Sequence, residues 1–412
     1  MPANAASVAF PAVRTAPLQP ARPARRTAIA DQIFRFLILL AAAALPLSVP
    51  LRFGLGITDF DRYLDILSLA FLLVRVVDFA THPPPRAGFV SIVLFFFLFG
   101  IVAASNLGAP LFNSTLFLLD GKILLFYACV WSFGNRRLDA AIDGGALSTI
   151  MLASYAAAVL VFFLYRGTSV RLALLDESNY MIVILFLLCI LHFSYHPPAF
   201  NKRTIAVYAL VVLCCLLARS RTGFVLLLGF VFLPLVANRR YAYVFACAVL
   251  SLLAVIAAGD DLVQLLARGQ TDVTHIDRFV FLNELLAQWR GYSPWQLLFG
   301  NHVGTYLATQ SYYMGYWVAR QSAEQHIPYG LAPFNLHSAY LRIAADLGLA
   351  LAAFFLIAVW RVLHRSIGLA ATLVLFVSAT SMSVFYLSAL LPFVISLQLA
   401  RNREPTVVRA AA

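Results

Sequence analysis

The feature that most constrains this chain is a succession of continuous apolar runs, most of them close to the ~20 residues a helix needs to cross a bilayer. They fall at 33–49, 64–80, 88–105, 115–133, 145–165, 179–194, 204–219, 222–238, 241–258, 336–360, 366–381 and 384–400. With no water in the hydrocarbon, each such segment must satisfy its own backbone hydrogen bonds, and a helix does so. The runs are continuous rather than alternating, which excludes an outer-membrane barrel. A hydrophobic content of 62% and a charged content of 12% lie well outside the ~45–50% apolar range of soluble domains. The expected fold is therefore all-α: a polytopic integral membrane protein of about 12 transmembrane helices.

The net charge of +12 could suggest nucleic acid, but the basic residues sit in short clusters between runs, a topological pattern. With the amino terminus inside, the inner loops carry His82 and Arg86, Arg136-Arg137, Lys202-Arg203, Arg239-Arg240, and Arg361 with Arg365. Arg401 and Arg403 follow in the tail. All are basic, as the positive-inside rule requires. The expected layout is a disordered cytoplasmic region at 1–30, nine spans within 31–257, a large outer loop at 258–335, three spans within 336–400, and a cytoplasmic tail at 401–412. The shortest connection is Ser381-Met382-Ser383, a very tight turn between the last two runs. In a cell with two membranes, the protein is expected in the inner one, with both termini cytoplasmic and the 258–335 loop in the periplasm.

Within that loop, HIDRFVFLNELLAQW (275–289) places Ile276, Phe279, Leu282, Leu286 and Trp289 at helical spacing, which predicts an amphipathic helix. Pro294 and the turn Phe299-Gly300-Asn301-His302-Val303-Gly304 break it. Tyr312, Tyr313, Tyr316 and Trp317 could stack on sugars, and an interfacial aromatic belt explains them equally well. Asp272, His275 and Asp277 form a D-x-x-H-x-D set, but such groups in an aqueous loop more often serve as solvated caps, and no metal is assigned. All five cysteines, Cys129, Cys189, Cys214, Cys215 and Cys247, lie in apolar runs, so no disulfide framework or zinc site is expected. The chain contains no GxxxxGK, HExxH, GxSxG or GxGxxG motif, which leaves nucleotide, metalloprotease and serine-hydrolase readings without support.

Several arginines lie where the topology does not ask for them: Arg166 and Arg171 after the fifth run, Arg219 and Arg221 between the seventh and eighth, and Arg278 in the loop. Singly, each is explained as well by snorkelling as by function. Together they suit an anionic ligand presented at the outer leaflet. Guanidinium forks bind phosphate oxygens bidentately and neutralise charge on a departing diphosphate. An acceptor hydroxyl then needs a base, and a histidine with a pKa near ~6.5 can accept its proton. His337 opens a span directly after the loop; His302 and His326 are weaker candidates, each lying in loop sequence. The chemistry that fits is glycosyl transfer from a polyprenyl diphosphate sugar. A transporter for such a lipid would also use arginines, but it would show repeats with broken helices, and none is visible here.

At these positions the chain resembles the superfamily of O-antigen ligases and O-antigen polymerases, integral membrane glycosyltransferases. Ser220-Arg221-Thr222-Gly223 looks like that family's serine–arginine motif, and Arg171 followed by Asn179 is similar to its outer-loop arginine and span-opening asparagine. Arg278 matches the arginine near the start of the large loop's helix, and Leu298 to Gly304 the plfGxGxG turn. His337-Ser338-Ala339-Tyr340-Leu341-Arg342, then Asp346-Leu347-Gly348, resembles the histidine–asparagine motif with its acidic residue and glycine; Ser338 stands where the family usually has asparagine. The resemblance implies a polyprenyl-diphosphate-linked glycan donor and metal-independent, cofactor-free transfer at the periplasmic face. It makes His337 the base, Arg171, Arg221 and Arg278 the diphosphate clamps, and Arg219 a further clamp candidate. The acceptor is lipid A–core in a ligase, or a second lipid-linked repeat in a polymerase.

Overall fold

In a computed structural model of the chain, the described residues are 25–57, 60–109, 112–138, 143–167, 170, 172–174, 178–196, 201–218, 220–237, 277–300, 302–305 and 336–401. The expected span at 241–258 lies outside them, as do Cys247 and the aromatic cluster at 312–317. The described elements are helices, with one isolated antiparallel bridge between Phe112 and Thr305. Eight come before the large loop: α1 (Arg25–Phe53), α2 (Phe60–Asp78), α3 (Arg86–Asn106), α4 (Ser114–Phe133), α5 (Gly144–Arg166), α6 (Ser178–Tyr195), α7 (Lys202–Ala218) and α8 (Arg221–Ala237). Then come α9 (Asp277–Trp289), α10 (Pro294–Phe299), α11 (Ala339–Ser366), α12 (Gly368–Ala379), the 3-10 turns η1 (Val384–Tyr386) and η2 (Ser388–Leu390), and α13 (Leu391–Arg401).

Five of these, α1 from Ile29 onward, α3, α4, α5 and α11, are long and apolar enough to cross a membrane. Their outward faces carry Phe36, Leu47, Phe97, Leu118, Leu160, Leu164 and Ile357 exposed. Such an apolar exterior is unfavourable in water and fits a lipid surround. The helices alternate in direction, so the ends of the bundle can be traced by contacts. At the end where α1 begins, the Arg136 guanidinium pairs with Asp31 and donates from Nε to Asp78 at 2.7 Å. Arg75 donates to the same Asp78 at 2.8 Å and to the Ser132 carbonyl at 2.8 Å, and His82 lies 2.9 Å from Asp78. A β-carbon at Gly134 would meet Val362, and one at Gly368 would meet Arg401. The described basic residues expected inside thus gather at one end of the bundle. The opposite, far end holds the α3–α4 and α7–α8 turns.

Three features depart from twelve straight spans. First, the expected spans at 366–381 and 384–400 are α12 (12 residues) and α13 (11 residues), joined by the buried turns η1 and η2. Non-helical backbone is tolerated at depth only where protein satisfies it. Here the Ser68 hydroxyl donates to the Ser388 carbonyl at 3.0 Å, and the Tyr386 hydroxyl to Asp346 at 2.6 Å. Second, α11 is broken at Gly348, whose φ of 71° and ψ of 172° are not helical. The break admits Gly300: a β-carbon on Gly348 would lie 2.2 Å from the Gly300 nitrogen, and one on Gly300 2.4 Å from the Asp346 carbonyl oxygen. Third, in the second half of α9 the buried residue is Leu285 where Leu286 was expected, while Trp289 packs as expected. Leu285 is 1% exposed and packs with Trp289 on Leu336, Leu341 and Ala345, whereas Leu286 is 42% exposed. Residues 285 and 289 stand one turn apart, and packing on α11 selects Leu285 over Leu286.

Candidate active site

The site is built on the break between α12 and η1. A helix leaves its last four carbonyls without intrahelical partners, and α12 ends in the protein interior. The first turn of α11 supplies the donors. The Tyr340 hydroxyl donates to the Phe376 carbonyl at 2.7 Å, the Ser338 hydroxyl to Ala379 at 3.3 Å, and the Ala339 amide to Met382 at 3.0 Å. Ser338, though at the N-cap position of α11, makes no side-chain cap bond to its own helix. His337 precedes this anchor, half-buried, with φ at 49°, and is the only non-glycine residue of positive φ among those described. That conformation is uncommon outside glycine, and the bonds of the next three residues hold it.

The same turn receives α8. Ser220 caps that helix: its hydroxyl accepts the Gly223 amide at 3.0 Å and donates to Asn179 at the start of α6, 2.7 Å away. Thr222 meets Ser381 through their hydroxyls at 2.5 Å. Arg221 lies between these two anchored residues, as the first residue of α8. Gly223 packs closely, since a β-carbon there would sit 3.1 Å from Ile182. Alongside, the Leu172 amide donates to the Leu217 carbonyl at 3.2 Å, and the Ser48 hydroxyl to Leu174 at 3.5 Å. The short segment following Arg171 in sequence is thereby tied between α1 and the end of α7.

The outer turn docks on the other side of α11. Val303 accepts from the Asn106 side chain at 3.2 Å, and Gly304 accepts the Asn113 amide at 2.7 Å. The Gly304 amide donates to Asp120 of α4 at 2.9 Å. Gly304 has φ of 72°, and a β-carbon would lie 2.8 Å from the Phe112 ring. Asp120 also accepts from Arg342 at 2.8 Å. The Arg342 guanidinium lies 3.6 Å from the centre of the Tyr386 ring, and its Nε is 3.7 Å from Asp346.

The motif carrying Arg221 and the motif carrying His337 therefore meet on one turn, 379–382. Arg278 is the second residue of α9, the helix whose Leu285 packs against Leu336, next to His337. The side chains of Arg221 and Arg278 lie outside the described part of the structure, as do Arg171, Arg219, His326, Asp272 and His275 altogether. His302 is buried at 7% exposure, in contact with the Tyr292 hydroxyl and 3.3 Å from that of Thr305. Burial lowers its pKa to about 4. It serves the turn structurally, with both ring nitrogens occupied. The sequence singles out neither Asp120 nor Tyr386, and includes Arg342 only within the His337 motif; the signal for Asp120 is a carboxylate in the middle of an apolar run, which is costly unless paired. Among the described residues there is no cluster of three or more His, Cys, Asp or Glu suited to a metal. Cys129, Cys189, Cys214 and Cys215 are buried free thiols.

The described residues are helical, with five helices long and apolar enough to cross a membrane, and this fits the class of polytopic membrane proteins. Residues 204–356, from α7 through the first two-thirds of α11, match the family model described as O-antigen ligase. Over that part the chain is similar to the O-antigen ligase family. No curated protein and no solved structure matches it.

Proposed function

We propose that this protein transfers a glycan from a polyprenyl diphosphate carrier to a hydroxyl on lipid A–core, at the periplasmic face of the inner membrane. The observation that carries this reading is the convergence of the Ser220–Gly223 and His337–Ala339 motifs on the 379–382 turn. An arginine position and a histidine far apart in sequence are thus held by one short stretch of backbone. In the proposed reaction, the acceptor oxygen attacks C1 of the donor's first sugar as the C1–O bond to the diphosphate breaks. The acceptor proton passes to His337, which must be neutral to take it. The diphosphate leaves as an anion, clamped by Arg171, Arg221 and Arg278, with Arg219 beside Ser220 as a further contact. Paired guanidinium forks stabilise that developing charge more than the ground state. No metal is assigned to the step, since the arginines carry the phosphate charge. The described parts that border the site on this side are α9, whose Leu285 packs on Leu336, and the Gly304 turn, which docks on Asp120.

The experiment that tests the clamp is donor binding by purified protein carrying Arg221→Glu or Arg278→Glu. Each reversal is expected to weaken binding of a polyprenyl diphosphate glycan at least tenfold, as loss of a charge-assisted pair worth about 1.5–3 kcal/mol requires. Unchanged affinity would remove that residue from the clamp. Product analysis separates the ligase reading from polymerisation: finished glycan on lipid A–core supports a ligase, and lengthened glycan on the carrier means a polymerase.

A further inference from the structure

The first half of α11 carries two charged groups that the proposed reaction does not use. Arg342 is 4% exposed and Asp346 1%, and with Asp120, also 1% exposed, they place two carboxylates and one guanidinium in the interior. Burying charge this way is a poor source of stability, because a packed apolar cluster of the same volume would serve as well or better. What the cluster supplies is direction. One Asp120 oxygen takes Arg342 at 2.8 Å and the other takes the Gly304 amide at 2.9 Å. The α4 carboxylate thereby fixes both the outer turn and α11. On the opposite side, Tyr386 donates to Asp346 at 2.6 Å and lies under the Arg342 guanidinium, 3.6 Å from ring centre to Cζ. The planar cation is gripped by a ring on its face and a carboxylate at its edge, a geometry that lysine cannot reproduce. Arg342 stands five residues after His337, within one and a half turns of the segment that holds His337 at positive φ.

We propose that Arg342 is a positioning residue for transfer, using Asp120, Asp346 and Tyr386 to fix His337 and the Gly304 turn relative to each other. This rests on the reading of His337 as the base. Catalysis by a positioned group is sensitive to small displacements: a shift of about 1 Å can cost about 10²-fold in rate. Donor binding, which depends on the arginine clamps, should not share that sensitivity.

The test measures kcat, donor KM and thermal unfolding for detergent-solubilised Arg342→Lys, Asp120→Asn and Tyr386→Phe, with His337→Ala alongside. Asp120→Asn keeps an acceptor for Gly304 and removes only the charge, so it remains informative if Arg342→Lys folds poorly. The expected result is a fall in kcat of about 10²-fold in the lysine and asparagine variants, with donor KM within about twofold of the original. Tyr386→Phe, which keeps the ring beneath the guanidinium, should lose less. Wild-type kcat in Asp120→Asn, a loss of activity no greater than the loss of folded protein, or a rise in KM alone would overturn the proposal. If His337→Ala transfers normally, the base reading fails and the positioning proposal fails with it. If His337→Ala is inactive while Asp120→Asn is normal, the positioning proposal fails alone.

Discussion

His337 is held at φ 49° by its neighbours rather than by any preference of its own, and the glycines around it show how tightly the backbone there is drawn. Gly300 and Gly348 both have positive φ, and a β-carbon on either would fall within 2.6 Å of the other's backbone nitrogen. Gly300→Ala combines the strain of a positive-φ conformation used essentially by glycine, about 1–3 kcal/mol, with overpacking of about 1–3 kcal/mol. It should therefore lower the thermal midpoint of the purified protein by several degrees; an unchanged midpoint would mean the two segments are not in contact. His302 supplies a pH dependence. Burial holds its pKa at about 4, against ~6.5 for an exposed imidazole. Between those values the unfolded chain takes up a proton that the folded protein refuses, so stability falls as pH drops from about 6.5 toward 4, by roughly 3 kcal/mol at most. His302→Gln should flatten the slope of unfolding midpoint against pH over that window. An equal slope in both proteins would assign the dependence to other groups. At this scale the sequence marks residue types that are rare in their setting, the arginines and His337 among them, without showing what they touch. It was opaque for Asp120, because the cost of a carboxylate in an apolar run says that a partner exists without saying which.

Among the elements, boundaries of the long apolar helices follow from composition, and α3, α4 and α5 fall within a few residues of their runs. The end of the chain did not read as it folds. Residues 366–400 are apolar enough for two crossings, yet form two short helices around buried 3-10 turns. The reason is tertiary: the Phe376 and Ala379 carbonyls at the end of α12 are taken by Tyr340 and Ser338, the Met382 carbonyl just beyond it by Ala339, and the Tyr386 hydroxyl needs Asp346. None of these pairings is local, so no window along the chain reveals them. The break at Gly348 and the buried face of α9 share that origin, being set by Gly300 and Leu336. The contact joining α8 to the α12–η1 turn can be measured directly. A double-mutant cycle of Thr222→Val and Ser381→Ala should give a coupling of about 1 kcal/mol in stability. Additive effects would separate the Arg221 motif from the turn that anchors the residues following His337.

Across the whole molecule, charge divides the bundle into two ends with different tasks. At one end Asp31, Arg75, Asp78, His82 and Arg136 tie α1, α2 and the α4–α5 turn together, alongside the basic residues expected to face the cytoplasm. Arg136→Met leaves Asp31 without this cation and Asp78 with one guanidinium fewer, a loss worth about 3–5 kcal/mol for buried pairs. It should sharply reduce the yield of folded protein in membranes; wild-type yield and thermal midpoint would show the cluster to be dispensable. At the other end the outer turn, α9, the start of α8 and the first half of α11 are knitted around the 379–382 turn and Asp120. The proposed site is accordingly composite. The loop supplies α9 and the Gly304 turn, the spans supply Arg221 and the anchor, and His337 lies where the two meet. The most direct measurement is glycan transfer from a radiolabelled polyprenyl diphosphate donor by membranes containing His337→Ala, with donor binding followed in the same preparation. Removal of a general base should lower transfer by about 10²–10⁴-fold while donor binding persists. Transfer at the wild-type rate would contradict the account.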